Sequence, residues 1–216
     1  MDQDLGVLYD ILDYELKKSK SGDELKEYVI VLERKYTKQK EFIRSLESNT
    51  HVGLAENELS NSFIPEDLPS SADKVYNAVK TTRNGDCLYN AVSLALVGNE
   101  SYAAILLRLL VALELALNVD FCTNHPTFTY FPSSGRHPNT IFSLCLTGSS
   151  NKIFHDSDQN RVLAIWSEAR TANKLKEWSG YFHVSELSTV LAKPVCSSYR
   201  NCQSWTRDIV HGIVYP

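Results

Sequence analysis

The chain has 216 residues, 43% of them hydrophobic, which is enough to bury the core of one domain with a smaller appendage. That composition excludes collagen, coiled rods and low-complexity chains. With 22 basic and 26 acidic residues, the formal net charge is −4. The basic surplus that drives binding to a phosphate backbone is therefore missing, and we expect no nucleic-acid partner.

No secretory signal or membrane span is predicted. The first residues are acidic, where a signal peptide carries positive charge, and no stretch reaches ~18 uninterrupted apolar residues. The five cysteines lack the paired spacing of a secreted disulfide scaffold. We therefore expect an intracellular protein, cytoplasmic or nuclear, with reduced thiols and no membrane partner.

Two amphipathic helices are predicted over residues 4–47. Apolar positions separated alternately by four and three residues indicate each helix, and a capping box from Ser21 to Glu24 marks the start of the second. These positions are Leu5, Tyr9, Leu12 and Leu16, then Leu25, Val29, Leu32, Tyr36, Gln39, Ile43 and Leu46, with Gln39 as the one polar member. This coiled-coil-like hairpin, residues 1–50, is either a self-association element or a hairpin packed on the main domain. Its heptads are too few to decide.

The rest of the chain divides into a polar linker, residues 51–72, and a globular domain, residues 73–216. The globular domain is predicted to be α+β, with helices packed on a small β-sheet. Its predicted helices are 87–96, 101–118, 158–178 and 184–191, its predicted strands are 194–199 and 208–215, and 119–152 is mostly irregular. Because two strands rarely make a stable sheet, we expect further strands from 119–152, from 75–79, or from chain beyond this sequence.

The segment from Asn84 to Ser93 carries the candidate catalytic residues. It places Cys87 in the first turn of a predicted helix, directly after a turn that contains Gly85. Unpaired N–H groups and the dipole at a helix N-terminus favour the nucleophilic thiolate over the thiol. The same turn can direct N–H groups at an oxyanion, so Asn84, Gly85 and Asp86 are the candidate oxyanion residues. Taken alone, this pattern favours a buried structural cysteine over a catalytic one.

The same segment resembles the cysteine motif of the ovarian tumour (OTU) family of cysteine peptidases. In that motif an Asp-Gly-Asn/Asp-Cys turn runs into a helix that begins Leu-Phe/Tyr and continues to Ala-Val/Ile-Ser. The matching residues are Gly85, Asp86, Cys87, Leu88, Tyr89, Ala91, Val92 and Ser93. A Leu-rich second helix, then Trp178-Ser179-Gly180, Glu186-Leu187 and Leu191-Ala192, extend the resemblance over residues 73–216.

The resemblance implies an OTU-like cysteine protease fold and a deubiquitinase, which is a ubiquitin-directed cysteine isopeptidase. Cys87 would be the nucleophile, a histidine would be the base, and a polar residue would orient that histidine. The implied partner is ubiquitin or a ubiquitinated protein. The reaction calls for no metal and no organic cofactor.

The candidate base departs from the family pattern. The family's histidine lies on a strand near the C-terminus and is usually followed by an aromatic residue and then Asp or Asn; none of the six histidines here stands in such a triplet. His211, on the last predicted strand, is the candidate base, although Gly212 and Ile213 follow it. Asn84 also stands where the family has Asp. Two other interpretations stay open: the chain stops before the segment that carries the base, or the domain is an inactive OTU-like module that binds proteins.

Overall fold

The structure is a computed structural model that describes residues 3, 6–10, 13, 23–46, 81–82, 84–100, 102–124, 142, 145–146, 158–197 and 212–216. The helices in these ranges are α1 (Asp23–Lys35), α2 (Thr37–Ser45), α3 (Cys87–Val97), α4 (Tyr102–Leu117), α5 (Val119–Thr123), α6 (Asp158–Ala172) and α7 (Tyr181–Leu191). The strands are β1 (Val195–Ser197) and β2 (Gly212–Val214). Residues 6–10 are also helical.

Helix α4 lies at the centre of the fold. It packs against α1, α3, α6 and α7, and its residues 106–116 are all buried. Two of those buried residues are charged, Arg108 and Glu114, and both have partners on other elements. The apolar stretch predicted as a core helix therefore forms a core helix that also carries buried charges.

The predicted second helix of the hairpin is observed as two helices that meet at Tyr36. Buried side chains of α1 and α2 belong to the same hydrophobic core as those of α4; they are Val29, Leu32, Tyr36 and Ile43. Arg44 donates hydrogen bonds to the carbonyls of Thr189 and Val190 in α7. The hairpin itself is not confirmed, because most of the first predicted helix, its connection to the second and the predicted linker lie outside the described residues.

The end of α3 agrees with its prediction. Gly98 adopts a left-handed conformation with φ +77°, and its N–H donates to Leu94 O, which closes the helix C-terminus. The start of α7 is earlier than predicted, at Tyr181 instead of residue 184. Part of the segment predicted as irregular is helical, since it contains α5 and the helical residues Phe142 and Cys145.

The end of α6 was predicted wrongly. The helix ends at Ala172 instead of residue 178, and the chain then runs irregularly to Gly180. Lys176 in this connection has φ +64°, which is incompatible with a continuing helix. The connection packs against the turn before α3, so a contact distant in sequence determines where α6 ends.

The sheet is small and lies beside α7. Strands β1 and β2 are antiparallel, with Val195 opposite Val214 and Ser197 opposite Gly212. The described residues contain no third strand, and the predicted extended segment 75–79 lies outside them. The described part is thus a mostly helical α+β arrangement. None of its helices is both long enough and apolar enough to cross a membrane.

Candidate active site around Cys87

Cys87 is the first residue of α3, and its thiol is half-buried. The preceding residue, Asp86, is the N-cap, but its side chain makes no capping hydrogen bond to the helix. The Asp86 carboxylate instead accepts hydrogen bonds from Arg108 and from the N–H of Lys176. The N-terminal N–H groups of α3 are therefore not capped by Asp86, and they lie in the same turn as the thiol.

The turn before Cys87 requires glycine at position 85. Gly85 has φ +82°, a conformation that residues with a Cβ rarely adopt. A Cβ placed there would lie 2.3 Å from the carbonyl oxygen of Lys176. The turn thus lies directly against the backbone of the α6–α7 connection, with no room for a side chain.

Asn84 supports the same turn through its side chain. Its Oδ1 accepts a hydrogen bond from the N–H of Asp86 at 3.1 Å, which is the geometry of an Asx turn. Of the three predicted oxyanion residues, Asp86 therefore has its N–H already engaged. The three residues are held together by local chain geometry, immediately before the thiol.

Arg108 holds the turn in place from α4. It is 1% exposed, and its Nε donates to Asp86 Oδ1 at 2.6 Å. Its two Nη atoms donate to backbone carbonyls on both sides of the site. In the turn, the acceptor is Gly85 O at 3.0 Å. On the other side, the acceptors are Ala172 O at 3.0 Å at the end of α6, and Lys174 O at 2.8 Å and Glu177 O at 2.7 Å in the connection after it. One guanidinium therefore joins α4, the turn before Cys87 and the α6–α7 connection.

A second buried polar cluster, formed by Tyr89, His183 and Glu168, lies next to Arg108. The guanidinium lies 4.6 Å from the ring centroid of Tyr89, and the Tyr89 hydroxyl is 3.2 Å from His183 Nδ1. The other ring nitrogen of His183 lies 3.1 Å from Glu168 Oε2, and both residues are 0% exposed. Burial raises the pKa of Tyr89 above its usual range, so its hydroxyl keeps its proton at neutral pH.

A third buried polar cluster joins α4, α5 and α7 away from the turn. Cys122 Sγ donates to Glu186 Oε1 at 3.2 Å, and Asn118 Nδ2 donates to Glu114 at 3.2 Å and to Glu186 at 3.3 Å. Lys40 of α2 pairs with Glu114. Burial raises the pKa of both the Cys122 thiol and the Glu186 carboxyl, so this thiol is a poor nucleophile.

The candidate base is not among the described residues. His211 immediately precedes the first residue of β2, and its position lies outside the described ranges. Within those ranges His183 is the only histidine, and its fully buried ring contacts Tyr89 and Glu168.

Sequence reasoning missed the roles of Arg108, Glu168 and His183. The available signal was Arg108 itself, together with Glu114, because charges inside an apolar helix are almost never buried without partners.

The fold and the site together define the class of this protein. It is a mostly helical α+β domain with a cysteine at the start of a helix, directly after a tight turn that contains glycine. A model of the family described as "Vertnin, OTU domain" matches residues 78–216, which is more than half of the chain. The chain therefore belongs to this OTU domain family, and the resemblance drawn from the cysteine motif is confirmed. No curated protein and no solved structure was found to match the chain.

Proposed function

We propose that the OTU domain of this chain is a cysteine isopeptidase that hydrolyses bonds to ubiquitin, with Cys87 as its nucleophile. The observation that carries the proposal is the position of Cys87 at the start of α3, where the Asp86 side chain leaves the helix uncapped. Helix N-terminal N–H groups stabilise negative charge, first on a thiolate and then on a developing oxyanion. Membership of the OTU domain family supports the same reaction class.

In the proposed reaction, Cys87 Sγ attacks the carbonyl carbon of the isopeptide bond and forms a tetrahedral intermediate. The thiol proton passes to a base and then to the departing lysine amine as the carbon–nitrogen bond breaks, which leaves a thioester. Water, deprotonated by the same base, hydrolyses the thioester and regenerates the thiol. We assign the base to His211, and oxyanion binding to the N–H groups of the turn formed by Asn84, Gly85 and Asp86.

A second candidate function is a non-catalytic module that binds ubiquitin or another protein. The observation that favours it is the hydrogen bond from the Asp86 N–H to Asn84 Oδ1, because an N–H bound to a side chain is not free for an oxyanion. In the catalytic proposal, the Asn84 side chain must release this N–H when substrate binds.

A ubiquitin derivative with a C-terminal electrophile tests the catalytic proposal. We expect it to label the full chain at Cys87 and to leave a Cys87→Ala variant unlabelled. Cys196 provides the matched control because it is an exposed thiol on β1, so a Cys196→Ala variant should label like the wild type. A His211→Ala variant should label more slowly, since the thiol then lacks its base.

Failure of the folded wild type to label would contradict the catalytic proposal. Titration of the same sample with unmodified ubiquitin would then test the second candidate, because a binding module should still bind ubiquitin and a Cys87→Ala change should leave that affinity unaltered.

A further inference from the structure

A cavity of about 370 Å³ lies beside the turn that precedes Cys87. Its walls come from the turn, from α3, from the N-terminal half of α4 and from the connection after α6. Asn84 and Asp86 line it from three and one residues before Cys87, and Asn90 lines it from three residues after Cys87, in the first turn of α3. The cavity and the thiol therefore share the first turn of α3.

Asn90 is a largely buried residue whose side chain lines the cavity. It is 7% exposed, and its backbone N–H donates to Asp86 O. Among the hydrogen bonds of the described residues, none involves its side-chain amide. The side-chain amide of Asn90 is therefore available to form a hydrogen bond with a ligand in the cavity.

The charges that line the cavity favour a cation. Glu100 uses Oε1 to accept the N–H of Thr82 at 2.7 Å, and no positive partner of its carboxylate is found among the lining residues. The other two charged lining residues, Asp86 and Arg108, form an ion pair with each other. All three nitrogens of Arg108 already donate hydrogen bonds, so the guanidinium has no pair of unused N–H donors for an anion.

The remaining wall is apolar and consists of Ala104, Ile105 and Leu175. A side chain that places an aliphatic stem along such a wall and a positive charge at its tip is that of lysine. We propose that this cavity binds a lysine side chain of a polypeptide segment, with its ammonium group at Glu100 and the Asn90 amide oxygen and its stem against Ile105 and Leu175. The volume leaves space for backbone next to that lysine.

Asn84 and Asp86 line this cavity and also belong to the turn proposed to bind the oxyanion, but lysine binding itself needs no reactive thiol. It can be measured on the full chain carrying Cys87→Ala, so failure of peptide binding and failure of the isopeptidase proposal are distinguishable. The ligands are two blocked, fluorescent pentapeptides, Gly-Gly-Lys-Gly-Gly and the same peptide with norleucine for lysine. Norleucine keeps the aliphatic stem and removes the charge.

We expect fluorescence anisotropy to show that the lysine peptide binds about tenfold more tightly than the norleucine peptide. The norleucine peptide lacks one charge-assisted contact, and a tenfold difference corresponds to about 1.4 kcal/mol. Glu100→Gln keeps the shape of the side chain and an oxygen for the Thr82 N–H, and it should abolish the preference for lysine. Glu41→Gln is the matched control because Glu41 is exposed on α2, and it should keep the preference.

Equal affinity for the two peptides, no binding of either, or an unchanged preference in folded Glu100→Gln protein would overturn the proposal. Should that variant not fold, Leu175→Lys serves the same purpose, because Leu175 is 48% exposed and its substitution spares the core. The added positive charge at the cavity should weaken binding of the lysine peptide and leave the norleucine peptide unaffected. An unchanged affinity for the lysine peptide in Leu175→Lys protein would equally overturn the proposal.

Discussion

Arg108 and Asp86 form an ion pair that joins the central helix α4 to the turn before Cys87, with Nε 2.6 Å from Oδ1. The pair lies between α4 and the α6–α7 connection, whose Lys176 N–H donates to the same carboxylate oxygen at 2.9 Å. Three segments distant in sequence thus meet at one carboxylate. The position of the Cys87 turn therefore depends on a buried charge as well as on local turn geometry.

Replacement of Arg108 by methionine should lower the free energy of unfolding by about 3–5 kcal/mol, because it leaves a partly buried carboxylate without its charged partner and several carbonyls without a donor. Urea denaturation measures this change. Arg34→Met is the control, since Arg34 is exposed on α1 and surface substitutions usually change stability by less than about 0.5 kcal/mol. Asp86→Asn combined with Arg108→Met should recover part of the loss. Equal stability of the Arg108 and Arg34 variants would show that the ion pair does not hold the fold together.

Gly85→Ala should destabilise the turn more than any ordinary surface change. The alanine Cβ would meet the Lys176 carbonyl and would also require a left-handed backbone, a conformation that alone costs about 1–2 kcal/mol. Gly6→Ala is the matched control, because Gly6 is helical and exposed, a Cβ added there would have nothing within 4 Å, and alanine should stabilise by about 0.5–1 kcal/mol. Thermal unfolding of the two variants should therefore shift in opposite directions, and shifts of the same sign would contradict the turn geometry.

The turn could be predicted from the sequence because its signals are local. Gly85 next to Cys87, followed by a helical run closed by Gly98, specifies a turn and a helix within a few residues of each other. The same reasoning placed α4 correctly. Arg108 and Glu114 were visible as interruptions of an apolar helix, but their partners Asp86 and Lys40 come from elements far away in sequence. The spacing of apolar residues along the chain does not indicate which distant residues form such ion pairs.

The errors have the same origin. The sequence predicts that α6 continues to residue 178 and is closed by Gly180, whereas the observed helix ends at Ala172 and the connection after it packs on the backbone of Gly85. Tertiary contacts override local propensity at this point. The base could not be fixed from sequence either, since its identification depends on which strand residue faces the thiol.

The ion pair between Lys40 and Glu114 should contribute to the attachment of α2 to the central helix. Both side chains are buried, so Lys40→Met alone leaves an uncompensated carboxylate and should cost about 3 kcal/mol or more. The double variant Lys40→Met/Glu114→Leu should be markedly more stable than that single variant. Lys38→Met, at an exposed position of α2, is the control. Additive effects in the double-mutant cycle, measured by urea denaturation, would contradict direct coupling.

Removal of residues 1–46 should unfold or strongly destabilise the OTU domain. The deletion uncovers the faces of α4 and α7 on which α1 and α2 pack. Each large apolar side chain taken from the core, such as Val29 or Ile43, removes about 1.5–3 kcal/mol of burial. A few of them together approach the total stability of about 5–15 kcal/mol typical of a domain. A truncated chain that melts at the same temperature as the full chain would instead support an independent N-terminal element, and size-exclusion chromatography of the full chain would then test self-association.

Glu186 should make the protein less stable as the pH rises from mildly acidic to neutral. Burial raises the pKa of Glu186 in the folded state above its ordinary value of about 4.3. At a pH between these two values, the folded chain keeps a proton on Glu186 that the unfolded chain has lost. Stability from this group is complete below the ordinary pKa and is lost as the pH passes through the folded value. Glu186→Gln removes the ionisation and retains an oxygen for Asn118 Nδ2.

We therefore expect Glu186→Gln to have a higher free energy of unfolding than the wild type at pH 7, and a smaller difference near pH 4. Urea denaturation at a series of pH values measures the difference between the two proteins, which cancels the titration of their common groups. Glu41→Gln, at an exposed position, should run parallel to the wild type over the same interval. A Glu186→Gln curve that also runs parallel to the wild type would mean that the folded chain does not favour the protonated form of Glu186.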